Sequence, residues 1–290
     1  MPTQAITINP DISYGDWTPT VESVTETLDL TQARKFANVL DIDENLFEDG
    51  SELPSMWHWM YFLLRAPTAR IGADGHPERG GFFPPVELQR RMFAGAQTAF
   101  HKPLVIGQPA TRTGTITRLD EKEGRSGRLV LATAQYNIEQ GGELCIADTH
   151  DIVYLAGGND PVPAPGADAF TVPDGAWHRE VKADPVLLFR YSALNFNSHR
   201  IHYDAEYAKN EEGYPGLVVQ GPLTAILLAE MARAKMGGAT MTEYSFRGRA
   251  PIFEPWPFHL VGQPGEDGSV ELEAVRNDGT VAMTATAQFG

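Results

Sequence analysis

Within the eight residues Asn195 to His202 the chain sets two asparagines, two histidines and an arginine. An imidazole titrates near pH 6.5, so His199 and His202 are candidate proton acceptors at neutral pH. Asn195 and Asn197 cannot take a proton, but a carboxamide can hold a water molecule by donating or accepting a hydrogen bond. Arg200, next to His199, could pair with an anion. Downstream, Tyr214 to Pro222 leads through a glycine-rich turn into an apolar stretch. Polar groups this dense beside an apolar helix are costly to bury without partners, so the segment is either a solvated loop or the lining of a site. His199 and His202 could also be read as a metal pair. No third ligand stands at a characteristic spacing, so no metal is expected.

The apolar stretch is the element that must position these groups. Leu223, Ile226, Leu227, Met231 and Ala234 fall on one face at helical spacing, and Pro222 suits a first helical turn. Gly221 then stands where a helix start offers free N–H groups to a developing negative charge. Elsewhere Thr31–Leu40 reads as a short helix and Val86–Ala96 as another. Arg128–Asn137 and Glu143–Tyr154, with Val105, fit a sheet, joined by a turn at Gln140-Gly141-Gly142. Val270–Arg276 and Val281–Phe289 repeat that ending around Asn277-Asp278-Gly279. The aromatic run Trp57–Phe62 reads as core or as a contact between subunits, and His76 and His101 as structural, with either able to border a substrate channel. The stretch 156–174, dense in Gly, Pro and Asp, reads as a linker between an N-terminal unit, 1–155, and a C-terminal unit, 175–290. Helix followed by antiparallel strands, twice, gives an α+β class with each sheet curled round a helix. A shift of 155 places Asp29 on Asp184 and Phe36 on Tyr191, a faint repeat. Only the second half carries the Asn/His pair, because Ile42–Leu53 is acidic and has no histidine. One half therefore reads as active and the other as degenerate.

The formal charge is −15, which argues against nucleic-acid binding, where Lys and Arg must cluster. An anionic substrate would need locally placed arginines, and Arg247 and Arg249 after the central helix are candidates. With 42% apolar residues and 10% aromatics the chain can bury a substantial core. A single cysteine, Cys145, allows no intrachain disulfide and no multi-cysteine metal site. No apolar run reaches a membrane-spanning length, and the first residues lack the pattern of a signal peptide. The cytoplasm is the expected location, or an organelle lumen reached by a signal not visible in the chain.

The longer pattern resembles a known family. Asn197 to His202 has the spacing of the D-x-N-P-[hydrophobic]-H motif of the R-specific (type 2) enoyl-CoA hydratases. Ile201 matches its hydrophobic residue, and Val219-Gln220-Gly221 its turn at the head of the hot-dog helix. The chain departs at Asn197, where that family has Asp, at His199 for Asn and at Arg200 for Pro. Phe196–Asp204 and Gly213–Pro222 resemble a narrower group, the hydroxyacyl-thioester dehydratases and the mesaconyl- or itaconyl-CoA hydratases. Trp57-His58-Trp59 and Asp74-Gly75-His76-Pro77, leading to Phe83-Pro84-Pro85, resemble the first half of that group.

The resemblance implies a double hot-dog fold and a hydro-lyase that adds water to an enoyl-CoA, or removes it from a 3-hydroxyacyl-CoA. Asn197, His202 and Gly221 would be catalytic, with the base role moved towards His202. His199, Arg200, Tyr191, Arg247 and Arg249 would bind substrate. No cofactor is expected beyond the CoA thioester, and no nucleic-acid or membrane partner, with a homodimer as an open option. A short dicarboxylic or branched substrate of the mesaconyl or itaconyl kind is favoured by the arginines. Rival readings are a (3R)-hydroxyacyl-carrier-protein dehydratase, a hot-dog thioesterase and a non-catalytic acyl-CoA-binding protein.

Overall fold

In the computed structural model, described for residues 7–8, 14–88, 90–124, 127–156 and 161–290, the strands form one eleven-stranded sheet. The first half holds β1 (Thr7–Ile8), β2 (Glu22–Thr27), α1 (Leu30–Val39), β3 (Arg90–Phe100), β4 (Pro109–Gly124), β5 (Gly127–Gln140) and β6 (Glu143–Leu155). The second holds β7 (Trp177–Val181), α2 (Pro185–Leu194), α3 (Ala205–Asn210), α4 (Gly221–Lys235), β8 (Met241–Gly248), β9 (Phe258–Pro264), β10 (Ser269–Arg276) and β11 (Val281–Phe289). The strand order is β1-β4-β5-β6-β3-β8-β11-β10-β9-β7, with β2 on β4. The antiparallel pair β3–β8 joins the strands of the two halves.

The faint repeat has a structural counterpart. A shift of 155 carries Leu30–Val39 onto residues 185–194, the span of α2. Asp29 caps α1 by accepting the Gln32 N–H at 3.0 Å, and Asp184 caps α2 by accepting the Leu187 N–H at 2.8 Å. Phe36 and Tyr191 are both buried, with ring centroids 6.2 Å apart. Short Asp side chains at these positions satisfy a donor that the first helical turn leaves free.

α4 is the central helix. Every residue from Leu223 to Ala232 is buried, as expected for a helix surrounded by sheet and loops on all sides. Tyr244 of β8 donates its hydroxyl to Ala225 O at 2.7 Å, and Trp57 Nε1 donates to the buried Glu230 at 2.8 Å. In the first half, between α1 and β3, only single 3-10 turns occur among the described residues, at Glu44–Leu46, Trp57–Met60 and Thr68–Arg70.

The helix expected over Val86–Ala96 is not formed: β3 is a strand starting at Arg90. The apolar residues there follow strand alternation interrupted by a bulge between Phe93 and Gly95, which imitates a longer period. Gly95 is needed because a Cβ would come within 2.5 Å of Phe246 O on β8. The expected strands around the Gln140 and Asn277 turns, and the helices over Thr31–Leu40 and from Pro222, are present. Val105 forms only an isolated bridge with Glu52. The linker stretch has neither helix nor strand among its described residues.

Removing the α2 cap tests this packing. Asp184→Ala should lower unfolding free energy by about 1 kcal/mol, which is roughly 2–4 °C in Tm for a chain of this size. Thermal or urea unfolding measures it, and an unchanged midpoint would show that the capping bond is not formed.

Candidate active site

α2 ends at Leu194, and Phe196 takes a positive φ of 56° that turns the chain into the site loop. The loop is fixed by short bonds. Asn197 N–H donates to Ser192 O at 2.8 Å and to Asn195 Oδ1 at 3.1 Å, and His199 N–H donates to Asn197 Oδ1 at 3.1 Å. Since Oδ1 is occupied by a donor, the Asn197 amide presents its NH2 as the group left to donate.

His202 sits in a 3-10 turn, Arg200–His202, and is buried. Its Nδ1 bonds to Val218 O at 2.7 Å. A carbonyl can only accept, so Nδ1 carries the proton and Nε2 keeps its lone pair. Burial chiefly, with a smaller push from His76, lowers the His202 pKa to about 4, although the Val218 bond works the other way. The imidazole is therefore neutral at pH 7. Three residues past Val218, α4 begins at Gly221 with no side-chain cap, and Pro222 has no N–H to contribute. A Cβ on Gly221 would meet nothing within 4 Å, so open space lies in front of this helix start.

A segment from the first half docks on the loop. Arg200 N–H donates to Asp74 O at 2.9 Å and Ser198 Oγ donates to Gly75 O at 2.6 Å. Gly75 has φ +88°, and a Cβ there would lie 1.8 Å from Ser198 O. This brings His76 onto His199, with ring centroids 3.9 Å apart, while His199 meets His202 edge-on at 5.3 Å. Asp74 Oδ2 holds His76 Nδ1 at 2.9 Å. Burial, and the neighbouring His76 and His202, keep the His199 pKa well below its usual value. Burial raises the Asp74 pKa, but its bonds and charge interactions with His76 outweigh this and leave it lowered.

From the sequence alone His76 reads as structural or as bordering a thioester channel, and no third metal ligand stands at characteristic spacing to His199 and His202. Asp74, His76 and His199 in fact offer one ligand atom each within 4.8 Å of one another. The Asp74 carboxylate is already engaged by the ring and backbone N–H of His76, and the two rings lie against each other. These contacts orient His76 and His199 toward one another. Asp74-Gly75-His76 was the available signal: a glycine between two chemically active residues marks a close backbone approach.

The other expected binding residues separate. Tyr191 is buried and lines a cavity of about 200 Å³ together with Asn195 and Pro222. Arg200 points its guanidinium away to Asp204, at 2.8 Å, and over the Tyr207 ring at 4.1 Å, with Nη1 on Ala73 O. Arg247 follows Phe246, which packs on Trp59, so strand alternation puts Arg247 on the opposite face of the sheet, beside Gln97 and Asp151. Arg249 is exposed beyond β8. The cavity instead brings in groups the sequence reading passed over. Asp148 is buried and accepts from Trp59 Nε1 and Thr98 Oγ1 at 2.8 Å, His150 Nε2 at 2.6 Å and His58 Nε2 at 3.1 Å. Burial raises its pKa, yet the two histidines more than reverse this and hold it ionised. An acidic residue on the inward side of the expected strand Glu143–Tyr154 was the signal.

The docking contact predicts that Gly75→Ala keeps a folded protein but displaces the Ser198–Arg200 loop. A shift of about 1 Å at such a site lowers turnover by about a hundredfold. Near-wild-type kcat in a folded variant would show that the contact does not position the site.

Residues 56–254 match the family described as hydroxyacyl-thioester dehydratase type 2. The chain is 48% identical over 274 residues to the mesaconyl-C(4)-CoA hydratase of Chloroflexus aurantiacus, covering 94% of this chain and 97% of that one. It is 26% identical to the mitochondrial hydroxyacyl-thioester dehydratase type 2 of Schizosaccharomyces pombe, over 70% of this chain and 75% of the relative. Among solved structures, a MaoC-like dehydratase superposes with TM-score 0.67 at 17% identity, covering 93% of this chain and 98% of the other. HtdX of Mycobacterium tuberculosis does so with TM-score 0.63 at 16% identity, over 93% and 100%. These structures establish the double hot-dog α+β fold. The chain therefore belongs to the hydroxyacyl-thioester dehydratase type 2 family, and is a hydro-lyase of the acyl-CoA hydratase/dehydratase type.

Proposed function

We propose that the protein hydrates a short dicarboxylic enoyl-CoA of the mesaconyl-C4-CoA kind, with His202 as the proton carrier. The observation that carries the mechanism is the His202 Nδ1–Val218 O bond of 2.7 Å, made three residues before α4 begins. It leaves Nε2 as the lone-pair nitrogen of a neutral ring, in the loop that also holds Asn197. The substrate class rests on the 48% identity to the Chloroflexus aurantiacus mesaconyl-C(4)-CoA hydratase.

In this reading a water accepts a hydrogen bond from the Asn197 NH2 and gives its proton to His202 Nε2. Its oxygen bonds to the β-carbon of the enoyl thioester as the double bond electrons move to the thioester oxygen. The Gly221 N–H, supported by the helix dipole, stabilises that enolate oxygen. His202 then returns the proton to the α-carbon, so that H and OH are added in balance and the enzyme is regenerated. A base of pKa about 4 is weak by itself. The enolate supplies the opposite charge that stabilises the imidazolium once it forms. The reading needs no metal or organic cofactor. It assigns a cytoplasmic location, where CoA thioesters circulate. No helix among the described residues is long and apolar enough to cross a membrane.

His202→Gln should lower kcat by about a hundredfold or more, the usual loss on removing a general acid–base. Loss of the enoyl-thioester absorbance reads the rate, and a variant retaining most activity would exclude His202 as the base. Asn197→Asp keeps an acceptor for the His199 N–H and should be better tolerated than Asn197→Ala. Equal activity of the alanine variant and wild type would remove Asn197 from the mechanism. The pH profile carries a sign. The depressed His202 pKa means the active neutral form is lost only as pH falls through about 4. The acid limb of kcat/KM should therefore lie well below 6.5, and a midpoint at 6.5 or above would contradict the geometry. Dialysis against EDTA should leave activity unchanged, whereas loss restored by a divalent metal would make Asp74, His76 and His199 a metal centre.

A further inference from the structure

The cavity of about 200 Å³ borders the site segment. Pro222, which follows Gly221, lines it, as does Asn195, whose Oδ1 receives the Asn197 N–H. Its remaining wall comes largely from the first half. The concave faces of β4, β5 and β6 present Arg112, Tyr136, Ile138, Asp148 and His150, and the 3-10 turn region adds His58, Trp59 and Phe62. Register explains the grouping. Arg112 stands opposite Ile138, and Tyr136 opposite Asp148, so these side chains share one face of the sheet. Gly114 makes room for the Tyr136 ring, since a Cβ there would lie 2.6 Å from it.

Arg112 is half-buried among aromatic rings. Its guanidinium lies 4.8 Å from the Tyr136 centroid and 5.7 Å from that of Phe62. Among the described residues no carboxylate pairs with it and no acceptor takes a hydrogen bond from it. The nearby acids are committed elsewhere. Asp148 is held by four donors, and Glu26, one inward position along β2, accepts from the Phe62 N–H and from Arg65 at 2.8 Å. Glu22 pairs in register with Gly114 at the exposed end of β2. A second polar atom in the lining is also without a partner: His58 Nδ1 is buried and makes no hydrogen bond. In a chain of net charge −15, a cation inside a cavity whose lining acid, Asp148, is already held by four other donors is a place for an anion from outside. The volume suits a short acyl group, since it is roughly seven times the 30 Å³ share of a water molecule.

We propose that the Arg112 guanidinium receives the free carboxylate of the acyl group, and so sets the preference for dicarboxylic over uncharged enoyl-CoA substrates. This rests on the hydratase reading above, but moves substrate selection from the arginines flanking α4 to a strand of the first half. Arg112 is a specificity residue, and the proton transfers remain with His202.

The test compares wild type, Arg112→Met and Arg112→Lys on mesaconyl-C4-CoA and crotonyl-CoA, with succinyl-CoA as an unreactive dicarboxylic competitor. Methionine keeps much of the apolar stem against the rings and removes the charge. Arg112→Met should lose a hundredfold or more in kcat/KM for mesaconyl-C4-CoA and less than about threefold for crotonyl-CoA, with a raised succinyl-CoA inhibition constant. Arg112→Lys should recover part of the dicarboxylate rate. A wild type that prefers crotonyl-CoA would defeat the substrate reading itself. If wild type prefers the dicarboxylate and Arg112→Met keeps that preference, or loses both substrates equally in Met and Lys variants alike, the assignment of Arg112 is overturned and the hydratase reading stands.

Discussion

The contact between Gly75 and Ser198 sets the site. Two segments 123 residues apart meet so closely that a Cβ on Gly75 would lie 1.8 Å from the Ser198 carbonyl. Through it the first half supplies Asp74 and His76 to a loop whose catalytic candidates all come from the second. The loop in turn has little freedom. Asn197 and Asn195 accept backbone N–H groups, Arg200 is tied to Asp204 and Ala73, and His202 is held by Val218. The His202–Val218 bond satisfies a buried polar group that would otherwise be costly, so positioning and stability are served there by the same contact.

The same rule explains the charges of the first half. Asp148 is fully enclosed and remains ionised because two histidines, a tryptophan and a threonine all donate to it. That cluster fixes Trp59 and His150, which form part of the cavity wall. Arg112 lies on the same wall, its guanidinium against the aromatic faces of Tyr136 and Phe62. A saturated anion and an unsaturated cation in one cavity make its interior selective for negative charge on the occupant.

Much of the second half could be read from the chain alone. Helical spacing from Leu223 to Ala234 and the turn residues at Asn277-Asp278-Gly279 act locally, and local signals survive without knowledge of the fold. β3 was misread because its bulge at Gly95 mixes two periods within seven residues. Arg200, Arg247 and Arg249 were legible as cations, but where a guanidinium points depends on strand alternation and on partners such as Asp204. Arg112 lay in β4, a strand whose polar, charged sequence carries little apolar alternation. Its role depends on Tyr136 and Phe62, which only the sheet register and the Trp57–Phe62 turn bring to it.

The paired helices show one local arrangement used in two halves that differ beyond it. α1 and α2 keep the same length, cap and aromatic contact at a spacing of 155 residues. After them the halves diverge. The second half continues into α4, whose start carries no side-chain cap and whose body is buried against its sheet. Among the described residues the first half has only short helical turns there, and its strands face the Trp57–Phe62 segment and a cavity instead of a long helix. A helix in that place would fill the space that Arg112, Tyr136 and His150 now line. Retaining α4 in one half and omitting its counterpart in the other thus separates the chemistry from the acyl pocket. The Trp57–Glu230 bond and the β3–β8 pairing then hold the two at fixed distance, so that a substrate bound by one is presented to the other.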